Sequence, residues 1–221
     1  EFPGAVPASI TFPALSTASQ YVSITIHGDL VYEQDEDVAV NLETLVGANM
    51  GANVNHTLTI TDDEGVPDVQ FALASASVGE AETTQLISVT ISHASEVGTS
   101  VQYTLGASDA ADPADYELVA DPDTLSFAGG TTANQSFLVT IHDDAIFEGN
   151  EFVRLDLQAA NGLNISGNTV HTLTITDSSA PPDIFINDVT VTEGDTATFT
   201  VSLSATSDLD VVFDFASSDN T

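Results

Sequence analysis

The chain is 221 residues long and sets 34 acids against one basic residue, Arg154, for a formal net charge of −33 at pH 7. Such a balance repels phosphate backbones and anionic lipid, which argues against nucleic-acid partners and peripheral membrane binding. Cysteine is absent, removing disulfides, zinc thiolates and thiol catalysis together, and no apolar run is long enough for direct membrane insertion. The first residue is Glu1 and no signal peptide is visible, as expected of a processed or excerpted product.

Residues 1–7 are too short and too rich in Pro and Gly to form an element. Ser9 to Phe12 then reads as a short strand, and Tyr21 to Ile26 alternates, with Val22, Ile24 and Ile26 on one face. After an acidic loop from Gly28 to Glu36, alternation resumes through Val38, Val40 and Leu42. A Gly/Asn-rich turn region, Gly47 to Asn55, leads to a strand at His56 to Thr61, closed by Asp62-Asp63-Glu64-Gly65. No stretch has helical period, which predicts antiparallel β structure.

Val66-Pro67-Asp68 opens a second unit, with strands expected near Val69 to Leu73, Gln85 to Ser92 and Ser100 to Leu105. Acidic turns fall at Val78-Gly79-Glu80 and from Ser108-Asp109 to Tyr116. From there the chain repeats its first segment at a constant offset of 115 residues: Phe12 answers to Phe127, Ile26 to Ile141, His56 to His171 and Asp62 to Asp177. A register held this long marks a repeat array, and short alternating strands between turns indicate a sandwich of seven or more strands. Pro181-Pro182-Asp183 begins a third unit, with strands expected at Ile184 to Ile186, Thr198 to Leu203 and Val211 to Phe215. The expected organisation is therefore a back part at 1–65, a complete sandwich at 66–180 and a front part at 181–221. Short connections carrying proline, Asp62 to Asp68 and Asp177 to Asp183, predict stiff joints.

The loop Asp143 to Glu151 holds four carboxylates in nine residues, and the first segment matches it with Asp29, Glu33 and Glu36. Oxygen-rich loops suit hard cations such as calcium, while the competing possibility is a polar hairpin connection in a very acidic protein. Posing Asp143 and Glu148 as an acid/base pair for glycoside hydrolysis finds no support, since tryptophan is absent and nothing marks either acid as protonated. No enzyme is expected. His27 with His142 and His56 with His171 lie in or beside strands and read as structural. Three glycosylation sequons, at Asn55, Asn134 and Asn164, matter only in a glycosylating export pathway.

VTEGDTATFTVSLS from Val191, ASD from Ala107, DTLSFAGG from Asp123, VTIHDDAIFEGNE from Val139 and the closing LTITD to Asp177 together resemble the Calx-beta domain. That family occurs in sodium-calcium exchangers, an integrin subunit and large bacterial surface proteins. The resemblance implies an all-β fold of tandem immunoglobulin-like antiparallel sandwiches, one complete and two partial, with Ca2+ held in loops at one end. Carried over by motif, the middle sandwich would bind through Glu80, Asp109, Asp143, Asp144, Glu148, Glu151 and Asp177. The first segment would use Asp29, Glu33, Glu36, Asp62 and Asp63, and the third unit would add Glu193 and Asp219. Two departures stand out: Ser178 and Ser179 replace the family's closing run of acids, and Gly28 stands where Asp143 is expected.

Near-equivalent repeats on stiff joints suit an extracellular structural or adhesive repeat at the cell surface, a rod or filament stiffened by calcium. A calcium-sensing regulatory module of a membrane transporter is the alternative. The expected partners are other copies of the chain, arranged head to tail by strand complementation or as one continuous array. Phe199, Val201, Val211 and Phe213 of one copy would then pack against Val22, Ile24, Val38 and Val40 of the next. The joined metal loop would draw Glu193 and Asp219 from one copy and Asp29, Glu33, Glu36, Asp62 and Asp63 from its neighbour.

Overall fold

The computed structural model describes residues 9–110 and 114–218. Among these the structure is all β, and no helix is long and apolar enough to cross a membrane. The first segment forms β1 (Val31–Tyr32), β2 (Glu36–Asn41) and β3 (Asn55–Ile60). The middle unit forms β4 (Asp68–Phe71), β5 (Ser75–Gly79), β6 (Thr84–Ile91), β7 (Ala94–Ser95), β8 (Thr99–Leu105) and β9 (Tyr116–Leu118). It continues with β10 (Asp123–Phe127), β11 (Gln135–Ile141), β12 (Glu151–Asn161), β13 (Asn164–Ile165) and β14 (Val170–Thr176). The third segment has β15 (Ile184–Ile186) and β16 (Val201–Leu203).

Two five-stranded sheets, ordered β10-β8-β12-β14-β5 and β13-β4-β6-β11-β9, enclose the core of the middle unit. Period-two alternation builds it: along β12, Val153, Leu155 and Leu157 point inward while Phe152 and Arg154 face out. Tyr103 on β8 and Phe137 on β11 stack across the sheets with ring centroids 3.7 Å apart, one large aromatic contact fixing how the layers meet. The ladders are not all antiparallel as expected. β5 runs parallel to β14 and β13 parallel to β4, because the chain enters on β4 in one sheet and crosses to the other at β5. Alternation reports which face a residue takes but not strand direction.

The hydrophobic core among the described residues falls between Val69 and Ile175. The flanking segments expose theirs: Phe12 is 60% exposed, Val22 56%, Phe199 55% and Phe213 50%. Three expected strands, Ser9 to Phe12, Tyr21 to Ile26 and Val211 to Phe215, are not strands in the structure. The middle unit supplies the reason. Tyr21 to Ile26 matches β11, whose longer ladder is with β6, a strand of the front of a sandwich, while the counterpart of its other partner β9 falls outside the described residues. Ser9 to Phe12 matches the end of β10, which pairs only with β8. Val211 to Phe215 matches β8, whose partners β10 and β12 both belong to the back.

Apart from the two-residue β1, which pairs with β7 of the middle unit, strands form in the flanks only where both partners lie in the same half. The hairpin β2–β3 copies β12–β14, with Val38 opposite Leu58 as Val153 is opposite Leu173. Likewise β15–β16 copies β4–β6: Ile184 opposite Leu203 stands for Val69 opposite Ile91, over a connection three residues shorter.

Candidate metal centre

The acidic loop between β11 and β12 is shaped by its own carboxylates. Asp144 Oδ1 accepts the Ile146 N–H at 2.7 Å, closing a tight turn. Asp177, just past β14, reaches back so that Oδ2 accepts the Glu148 and Gly149 N–H groups at 2.8 and 2.9 Å, while Oδ1 accepts Ser179 N–H at 2.7 Å. Gly149 takes a φ of 84°, which turns the chain into β12 and presents that amide. Burial pulls the Asp177 carboxyl upward, but the amides of Gly149, Ser179 and Glu148 and a bond from Glu80 outweigh it and hold it below its usual range.

This turn gathers two groups of carboxylates. Oxygens of Glu80, Asp144 and Glu148 lie within 4.8 Å of one another, and so do those of Asp115, Glu148 and Glu151. Glu148 belongs to both. Glu80 and Asp115 are each only 3% exposed, so water cannot solvate their charge well. The chain's single arginine, Arg154, is spent elsewhere, bound to Asp156 at 2.8 Å. The consequence is visible in the acidities. Glu148 is pushed up to about 7, first by burial and then by Asp115, Asp144, Glu80 and Asp208. Glu151 is also pushed up to about 7, by burial, then by Asp115, Glu148 and Asp109. Glu80 is raised mainly by burial, opposed by the Ser178 N–H and reinforced by Asp177, Asp144 and Asp143.

Of the residues chosen from sequence, Glu80, Asp144, Glu148 and Glu151 meet at this point. Asp143 stays at the rim, where it accepts a 2.8 Å hydrogen bond from Ser178 Oγ. Asp109 accepts the Phe152 N–H and adds its charge beside Glu151. Asp177 organises the loop through its three amide bonds rather than joining either group. Asp115 was passed over: it lies within the acidic turn read from sequence, and its position just before the buried Tyr116 was the available signal.

In the first segment Asp29, Glu33, Glu36, Asp62 and Asp63, joined by Glu64, line one cleft. Its turn repeats the middle one: Asp29 Oδ1 accepts Val31 N–H at 2.7 Å and Asp62 Oδ2 accepts Glu33 N–H at 2.9 Å. Among the described residues no group of three carboxylates closes there, because the counterparts of Glu80 and Asp115 belong to a front half. Gln34 also stands where Gly149 supplies the second amide. Glu193 is exposed on a turn of the third segment, and Asp219 lies outside the described residues.

Each acidic loop also grips the next unit. Val31 and Tyr32 pair in parallel with Ala94 and Ser95, and Tyr32 O accepts Glu96 N–H at 2.9 Å. The second joint repeats the first: Phe147 bridges Ser207, and Phe147 O accepts Asp208 N–H at 3.0 Å. Phe147 N–H in turn donates to Thr206 O at 3.2 Å. Carboxylates of the following unit reach the same place, since Glu96 contributes to raising Glu33 and Asp208 to raising Glu148.

The family model described as the Calx-beta domain matches residues 4–65 and again residues 62–179. No curated protein matches the chain. Among solved structures, the apo form of the Calx CBD1 domain is 23% identical, with a TM-score of 0.47 over 52% of this chain and 99% of that one. The Calx CBD2 domain is 12% identical, with a TM-score of 0.45 over 50% of this chain and 86% of that one. A structure titled as the calcium binding domain CBD12 of CALX1.1 is 24% identical, with a TM-score of 0.45. That match covers 49% of this chain and 44% of the CBD12 chain, so the likeness spans less than half of that relative.

Proposed function

Since the chain belongs to the Calx-beta domain family, we propose that it is a calcium-binding structural repeat, a segment of an extracellular rod or filament at a cell surface. The carrying observation is that one loop does two jobs. Between Asp144 and Glu148, which reach the carboxylate groups, lies Phe147, which hydrogen-bonds the following unit. An ion held by that loop fixes the segment that grips the neighbour.

The donor set fits calcium. It is all oxygen, drawn from loops of both sheets, and includes two carboxylates shielded from water. Calcium takes six to eight oxygens at about 2.3–2.6 Å. Glu80, Asp144 and Glu148 would hold one ion and Asp115, Glu148 and Glu151 a second, each relieving the repulsion that raises Glu148 and Glu151. The group has no catalytic part in this reading, and the chain is a binding module. A calcium-sensing module beside a transporter uses the same chemistry. The rod is favoured because the same main-chain joint occurs at both junctions, as a periodic assembly requires.

Small-angle scattering of the chain in calcium and in chelator, at constant high ionic strength, tests this reading. Calcium is expected to lengthen and narrow the distance distribution, with binding seen in parallel by titration calorimetry. Binding without any change in shape would move the assignment to a simple buffer. No binding would overturn it.

A further inference from the structure

The two joints share a main-chain grip but differ in the linker behind it, and we infer that the His93 side chain is a latch that holds the first linker in place, a device with no counterpart at the second joint. Both linkers meet the next unit through a copied serine. Ser92 N–H donates to Asp68 O at 2.9 Å, and Ser92 Oγ accepts Asp68 N–H at 2.9 Å. Ser204 repeats both bonds with Asp183, each at 2.8 Å. In the first joint the contact goes further. His93 Nε2 lies 2.7 Å from Gly65 O, and Nδ1 lies 2.9 Å from Ser92 Oγ. A carbonyl oxygen only accepts, so Nε2 carries the proton, and in the neutral ring Nδ1 accepts the Ser92 hydroxyl. The chain of bonds from Asp68 N–H through Ser92 Oγ and the imidazole to Gly65 O ties both ends of the stretch 65–68 to one turn. By the copied β15–β16 register the place of His93 falls to Ala205, whose side chain has no donor.

The linkers explain why one joint needs the latch. Asp183 follows Ala180-Pro181-Pro182; two prolines fix two φ angles and each restricts the residue before it, so that linker is stiff by composition. Asp68 follows Gly65-Val66-Pro67, with a single proline. Gly65 takes no left-handed φ, and a Cβ placed there would meet nothing within 4 Å. Neither backbone geometry nor packing calls for glycine, so what it brings to this place is freedom. Asn164 holds the two carbonyls that follow, Val66 O through Nδ2 at 3.2 Å and Pro67 O through its N–H at 2.9 Å, leaving Gly65 O to the imidazole. The first joint is thus a loose linker held shut by one side chain, and the chain's compliance is concentrated where that side chain controls it.

The latch uses main-chain groups and neutral side chains with no carboxylate, so it stands apart from calcium binding. Because cysteine is absent, spin labels can be placed in pairs at exposed positions: Thr57→Cys with Ser126→Cys across the first joint, and Ser126→Cys with Ser202→Cys across the second. Pulsed electron paramagnetic resonance, in chelator and again in calcium, reads the spread of each distance. His93→Ala is expected to broaden the first distribution about twofold and to leave the second unchanged. Adding Gly65→Ala to His93→Ala is expected to recover most of the lost sharpness, by removing the freedom that the latch restrains. An unchanged first distribution, or equal broadening of both, overturns the latch, as does a first distribution already broad with His93 in place; failure of Gly65→Ala to recover it does the same. A second measurement needs no variant. A long-range proton–nitrogen correlation spectrum of the imidazoles in alkaline buffer is expected to show His93 as the Nε2–H tautomer, and finding the Nδ1–H tautomer would overturn the assignment.

Discussion

Glu148 is the residue on which both carboxylate groups depend. Glu148→Gln keeps its shape and removes one charge from each group, and it should weaken calcium binding at least about tenfold, or ~1.4 kcal/mol, by titration calorimetry. An unchanged isotherm would remove Glu148 from the site. The pH dependence follows from the same crowding. In the folded chain Glu148 and Glu151 titrate at about 7, against 4.5 ordinarily, so between those values the folded state keeps protons the unfolded state has released. Without calcium, their contribution to stability is fully present below about pH 4.5 and is lost as pH rises through about 7. Calcium affinity should run the other way, rising through that window with protons released on binding; calorimetry in two buffers of different ionisation enthalpy reads the count. A flat affinity between pH 5 and 8 would contradict it. Asp144, Glu148 and Glu151 were legible because the loop that carries them is duplicated and duplication marks spacing, while Glu80 was legible only through the family motif. Asp115 was not, since it enters from a turn that has no copy in the first segment. Nor could spacing show that Asp177 turns its oxygens to backbone amides.

At the scale of strands, one substitution made at two matched positions should give opposite results. Val153 is fully buried in β12, and its counterpart Val38 is half-buried in β2. Val153→Asp puts an unpaired charge in the core and should abolish the cooperative melt of the middle sandwich. Val38→Asp, free to reach water, should leave that melt within about 0.5 kcal/mol in a dilute chain. Leu155→Ala, also fully buried, should cost about 2–5 kcal/mol, measured by denaturant unfolding. A large loss from Val38→Asp in a dilute monomer would mean that the hairpin β2–β3 supports the middle core. Alternation located β4, β6, β8, β10, β11, β12 and β14 of the middle unit, where each has its partners, but missed the short β7, β9 and β13 and also β5, whose Val78 and Gly79 read as part of an acidic turn. The same signal misplaced three strands in the flanks, where the pattern of Tyr21 to Ile26 is as regular as that of β11 but no counterpart of β6 pairs with it among the described residues. A sequence records which residues want a sheet, whereas the ladder needs another strand to be present.

For the whole molecule, charge sets the conditions under which anything holds together. With 34 acids and one base, raising sodium chloride from about 0.05 to 1 M in chelator should raise the melting temperature by screening self-repulsion. Calcium should then add a further increment at constant ionic strength, about 2.7 kcal/mol at a hundredfold excess over Kd. Coincident melts in calcium and chelator at high salt would leave screening alone as the stabiliser. The two joints carry a different lesson. Tyr32 and Phe147 hold their neighbours through carbonyl oxygens that accept amides of Glu96 and Asp208. A grip made by the main chain is indifferent to which side chains surround it. If the chain is part of the proposed rod, units could therefore be duplicated, lost or exchanged by recombination without re-matching a surface, and each addition would extend it through the same kind of joint. In such a rod, length would become a quantity that evolution can adjust by counting.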